Sequence, residues 1–213
     1  MTTSDFRPES LRVEFGLAMK ITTSEYVEVE DMEVADCGKT GIIFDACKNC
    51  AIRKVYVHHT KKTGILLRPG CEDILIEDCE SAFNDDGKGR KGDADGFACN
   101  DRTKNVTVRG CKSHNNSEDG FDFRANGTMV LDSNIAIHNG ATGLKTWKGG
   151  IITNCLSAYN TTGMGCAKLV RKDDKNADFT YRITNCTISN NKYSSIRGNG
   201  DLLIIRNTII INR

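Results

Sequence analysis

Short apolar runs that alternate with polar residues recur along this chain: Val27-Glu28-Val29-Glu30, Ile74-Leu75-Ile76-Glu77, Val106-Thr107-Val108-Arg109 and Tyr181-Arg182-Ile183-Thr184. Alternation of period two, bounded by Gly, Asn and Asp, marks short strands with one buried face. The runs sit inside a longer unit that returns about every 21–24 residues, a period typical of solenoids. Each unit reads apolar–x–apolar–x–small or polar–Cys, then an Asn five residues later, then Gly–apolar. The Cys position holds Cys79, Cys111, Cys155 and Cys186, and equivalently Met32, Tyr56, Asn134 and Thr208. The Asn position holds Asn84, Asn116, Asn139, Asn160 and Asn191, and the Gly–apolar step Gly41-Ile42, Gly64-Ile65, Gly96-Phe97, Gly120-Phe121 and Gly143-Leu144.

The Leu-x-x-Leu-x-Leu pattern of leucine-rich repeats is absent, and no segment carries a helical apolar stripe. With 20 Gly and two Pro, the turns must rely on Gly and Asn, which tolerate the left-handed region. Two or three short strands per unit, stacked in register, predict an all-β, right-handed parallel β-helix of about eight coils. In such a solenoid equal phase means vertical stacking, so the sequence serves as a crude coordinate map. The Cys column then fills a narrow core, and the Asn column forms a hydrogen-bonded ladder at a turn.

Composition narrows the picture without naming a chemistry. Residues 1–213 are read as one domain, with residues 1–16 as an N-terminal cap or an incomplete coil. Twenty-nine basic and 28 acidic side chains give a net charge of +1, so no global field points to nucleic acid. No run of 18 apolar residues suggests a membrane span, and the first residues do not read as a signal peptide. A monomer is expected. Cys47-x-x-Cys50 has no second pair at zinc spacing and is read as structural.

Two units break the regular spacing. One insertion is Asp85–Asp95; the other surrounds Arg171–Asp178. Insertions in solenoids gather on the working face. Just before the Gly–apolar step come Asp93 and Asp95 in one unit and Glu118 and Asp119 in the next; two residues past the Gly the stack runs Ala98, Asp122, Lys145. Stacked carboxylates repel unless a cation lies between them, and four or five hard oxygen donors from adjacent turns suit Ca²⁺ better than Mg²⁺. Lys145, one coil above Asp122, reads either as a general base or as a salt-bridge partner of Asp122. Arg197 lies further along the same row, with Arg124, Lys148 and Lys168 nearby. They read as contacts for an acidic polymer or as ordinary solubilising cations.

The stretches Asp93-Ala-Asp-Gly-Phe-Ala-Cys99, Ser117-Glu-Asp-Gly-Phe-Asp122 and Asn139-Gly-Ala-Thr-Gly-Leu-Lys145 resemble the pectate lyases of polysaccharide lyase family 9. Glu118 stands where that family has Asp, and Phe121 where it has Trp. The resemblance implies Asp95, Glu118, Asp119 and Asp122 as calcium ligands and Lys145 as the base in a β-elimination on a uronic-acid polymer, pectate above all, outside the cell. It also implies an alkaline optimum. Two rivals stand beside it: a uronan C5-epimerase, disfavoured because His58, His59, His114 and His138 do not share the phase of Lys145, and a non-catalytic carbohydrate-binding β-helix.

Overall fold

The computed structural model describes residues 9–12 as backbone and residues 16–170 and 178–211 in full, apart from the Arg90 side chain. Its strands pair in parallel throughout and build a solenoid of eight coils. One sheet stacks eight strands, from Met19–Thr22 through Phe97–Cys99, Phe121–Phe123 and Thr142–Thr146 to Ser194–Gly198. The other two strand rows of each coil, such as Lys104–Arg109 and Lys112–His114, join in a 15-stranded sheet. They merge because Glu28–Ala35 and Lys48–His58 run on through the first corner as long strands. Residues 9–12 pair with this sheet at Glu9–Met32; the rest of 1–16 lies largely outside the described residues, as does the second insertion over 171–177.

Two corners per coil place a non-helical bend where the chain needs the left-handed region. The residue before the Cys column is left-handed at Asp78, Gly110, Ser133, Asn154, Asn185 and Asn207, and the residue before the Asn column at His59, Phe83, Asn115, His138, Tyr159 and Asn190. Phe and Tyr pay no steric advantage there, so stacking on neighbouring coils must hold them. Between the corners, alternation buries Val106, Val108, Ser113, Phe121 and Phe123 and turns their neighbours out.

The Asn column is a continuous ladder. Asn84 Nδ2 donates to Asn116 Oδ1 at 2.8 Å, Asn116 to Asn139 at 3.0 Å, and Asn139 to Asn160 at 3.1 Å. Sequence separations along it are 32, 23, 21 and 31, so the two long coils are the ones with insertions and the core rungs stay aligned. The Gly column backs onto this ladder: a Cβ at Gly120 would meet the Gly143 carbonyl at 2.6 Å and Asn139 Nδ2 at 2.8 Å. All ten cysteines are buried and free, including Cys47 and Cys50. One assignment shifts. Tyr56 pairs with Glu80, and Val55 with Met32, so Val55 occupies the Cys column and Tyr56 faces outward against His58. A one-residue slip exchanges the faces of a strand, and the apolar Val55-x-Val57 spacing is the signal that corrects it.

Candidate active and metal site

Phe121 and Phe123 are fully buried, and Phe121 stacks on Phe97 with centroids 4.9 Å apart. Their burial forces Asp122 to the outer face of the strand. Leu144 and Thr146 do the same for Lys145 one coil on. Parallel register then aligns Ala98, Asp122, Lys145, Gly165 and Arg197 in one outward row.

The corner before this strand supplies the remaining acids. Asp95 Oδ1 accepts the Asp119 N–H at 3.0 Å, and Asp119 Oδ1 accepts the Thr142 N–H at 2.6 Å. Each carboxylate is thus fixed by the coil above it. One oxygen from each of Asp95, Glu118 and Asp119 lies within 4.8 Å of the others. Lys145 Nζ sits 2.6 Å from Asp119 Oδ2 and 3.5 Å from Asp122 Oδ1. The Trp147 indole N–H donates to Asp122 Oδ1, and Arg124 reaches Asp122 Oδ2 at 3.4 Å. Lys145 Nζ and the Arg124 guanidinium lie 4.6 and 5.1 Å from the Trp147 ring centre.

The electrostatics are those of a site short of positive charge. Burial, then Asp122 and Asp119, push the Asp95 carboxyl well above the usual carboxylate range. Burial and Asp119 also raise Asp122, against the opposing pull of Lys145, Trp147 and Arg124. Like charges at 4.8 Å repel by about 3–4 kcal/mol at an effective dielectric near 20. Burial acts to lower the Lys145 pKa, but Asp119 and Asp122 outweigh it, and the net shift is upward. Of the two sequence readings of Lys145, the ion pair is the one the geometry displays, with Asp119 rather than Asp122 as the nearer partner, and the two aspartates favour the charged amine.

The donor set fits a hard divalent cation. Asp95, Glu118 and Asp119 from two coils converge and Asp122 lies beside them; all but Glu118 are buried, and Lys145 and Arg124 touch the cluster. Oxygen-only ligation of this kind suits Ca²⁺. Asp95, Glu118 and Asp119 form the close group, Asp122 flanks it in the grip of Trp147, Arg124 and Lys145, and Asp93 stands apart. Its side chain is 73% exposed and pairs with Lys62 at 3.1 Å, because the insertion turns it to the rim.

Of the cations expected to meet a polymer, Arg197 and Arg124 line the clefts beside the acids. Lys148 does not. Its side chain is 3% exposed and lies 3.9 Å from Asp101, since residue 148 has left the outward alternation. Lys168 turns to Asp201 and the Phe179 ring. The insertion forms one wall of a cavity of about 620 Å³ beside the acids. Asp86 orders it by accepting the N–H groups of Lys88 and Asp93 at 2.9 and 3.0 Å. Trp147 was missed from the sequence, although it lies two residues past Lys145 on the same alternation and is the sole tryptophan.

Comparison with known proteins agrees with the fold. A pectate disaccharide-lyase from Dickeya chrysanthemi is 33% identical over 109 residues, covering 44% of this chain and 14% of its own length. The chain thus spans a small part of that relative. An alginate lyase from a Paenibacillus species superposes over 97% of this chain and 79% of its own, with TM-score 0.73 and 11% identity. The A-module of a mannuronan C-5 epimerase from Azotobacter vinelandii superposes over 88% of this chain and 60% of its own, with TM-score 0.65 and 16% identity. At those identities the superpositions speak for the fold. The description "Pel9A-like, right handed beta helix region" matches residues 3–207, and the chain belongs to that family of right-handed β-helices.

Proposed function

We propose that this protein is a calcium-dependent polysaccharide lyase that cleaves a uronic-acid polymer, pectate first, by β-elimination with Lys145 as base. The observation that carries the reading is Lys145 Nζ held 2.6 Å from Asp119 at the mouth of the four-carboxylate cluster. Asp95, Glu118, Asp119 and Asp122 would hold the cation. When bound there, Ca²⁺ would draw charge from a substrate carboxylate and so acidify the neighbouring C5–H.

The chain's own residues supply the rest. Asp119 and Asp122 hold the proton on Lys145; were they to serve as cation ligands, that hold would be relieved and the amine could lose its proton to solvent. Neutral Lys145 then takes the C5 proton. The C5–H electron pair becomes the C4=C5 double bond, the C4–O bond breaks, and the leaving oxygen is protonated from solvent. Trp147 and Arg124 keep Asp122 oriented throughout. Action on an external polymer places the protein outside the cell in this reading; no helix among the described residues is long and apolar enough to cross a membrane.

The epimerase alternative has solved neighbours of the same fold, but it requires a second proton donor across the sugar. The two clefts beside Lys145 are lined by no His or Tyr among the described residues, which favours elimination. Incubating polygalacturonate and alginate separately with protein and Ca²⁺ in D₂O separates the readings. A lyase leaves 4,5-unsaturated ends visible by NMR; inverted, deuterated C5 centres without new ends would instead establish epimerisation. Unaltered polymer that is nevertheless retained by the protein would leave a binding module.

A further inference from the structure

A second hollow adjoins Lys145 on its C-terminal side, about 510 Å³ in volume, and the acid cluster makes no part of it. Its floor is Gly165, which pairs with Lys145 on one side and Arg197 on the other. The glycine is required by close approach: a Cβ there would meet Lys145 Cγ at 2.9 Å and Thr142 Cγ2 at 3.4 Å. The row is therefore a base, a gap and a guanidinium, spread over two rungs, or ~9–10 Å at ordinary strand spacing. Trp147 walls the gap on one side, and Thr142 and Thr162 on another.

Arg197 differs from the other cations at these clefts. Lys62, Arg68, Arg124 and Lys145 each pair with an aspartate, at 3.1, 3.7, 3.4 and 2.6 Å. Among the described residues no carboxylate pairs with Arg197, whose side chain is exposed. An exposed, planar, two-pronged cation facing a polar hollow with an aromatic wall matches a carboxylated sugar: the guanidinium takes the carboxylate bidentately and the indole packs on the ring.

We propose that the hollow over Gly165 is a subsite for one uronate unit, with Arg197 reading its carboxylate and Trp147 its ring. This rests on the reading that the protein acts on a uronate polymer, and it adds where the chain continues past the base. It makes Arg197 the residue that distinguishes an acidic unit from an esterified one at that position.

The test is a binding measurement independent of turnover. Trp147 is the sole tryptophan, so intrinsic fluorescence reports binding beside it, and the Arg197 variants assign the response to this hollow rather than to the acid site. The intact protein in chelator is titrated with trigalacturonate and, separately, with its fully methyl-esterified form. A saturable change is expected with the acid and none at the same concentrations with the ester. Arg197→Ala should weaken binding roughly tenfold and Arg197→Lys should recover part of it, with unchanged thermal midpoints because the side chain is exposed. Equal binding by Arg197→Ala, equal response to the ester, or no wild-type response would overturn the subsite. A separate assay of the wild type with Ca²⁺ keeps the two questions apart: intact binding without unsaturated product would sink the lyase reading and leave the subsite standing.

Discussion

Asp95 is a carboxylate placed where a carboxylate is unwelcome, almost fully buried beside Asp119 and Asp122. Its replacement separates a ligand from a structural acid. Asp95→Asn keeps the oxygen that accepts the Asp119 N–H and removes the repelled charge. In chelator its melting temperature should equal or exceed that of the wild type, and the rise on adding Ca²⁺ should disappear; calorimetry reads both. Lys145→Ala should lower kcat by about a hundredfold or more, the range of a lost general base, and circular dichroism should find the fold intact. Because only a neutral amine can take the C5 proton and a lysine is ordinarily charged at pH 7, activity should climb from neutral into alkaline pH, and a rate profile measured at saturating Ca²⁺ checks it. At this scale the sequence was informative about residues that keep the repeat phase. Asp95, Asp119, Asp122 and Lys145 stack as their phases require. Asp93 does not, because it lies within the insertion, and Lys148 does not, because it lies past the end of Thr142–Thr146 where the alternation stops.

The Asn ladder and the Gly column are one element seen from two sides. Asn116 alone donates to Ser81 O, Ser113 Oγ and Asn139 Oδ1 and accepts from Asn84. Asn116→Ala should destabilise by roughly 3 kcal/mol, since several buried partners lose their bonds together; denaturant unfolding measures it. The inserted loop is tied by Asp85, which accepts the Gly87 N–H, and by Asp86, whose carboxylate a Cβ at Gly92 would strike at 2.2 Å. The columns of the repeat were legible because each coil repeats the same corner. Trp147 was less so: its indole reaches across to Asp122 on the coil below, and such a contact has no fixed spacing along the chain.

Across the whole molecule the acids would link pH and stability to any cation they hold. Asp95 and Asp122 have folded pKa values above the unfolded carboxylate value of about 3.9. Between those values the metal-free folded state holds more protons than the unfolded one, so its stability falls as pH rises through that window. A bound cation replaces those protons, so stabilisation by Ca²⁺ should be larger at pH 7 than at pH 4, which thermal melts at the two pH values decide. The eight-coil architecture followed from period and turn chemistry alone, whereas the two long coils show in the structure that insertions leave the rungs aligned. The claim on which the enzymatic account stands is that a cation held by these four acids and the amine of Lys145 act together. It is tested most directly by following absorbance of the unsaturated uronide on polygalacturonate for wild type with Ca²⁺, wild type with chelator, and Lys145→Ala with Ca²⁺. The account predicts a steady rise in the first and flat traces in the other two; an undiminished rise in either of those, or none in the first, would contradict it.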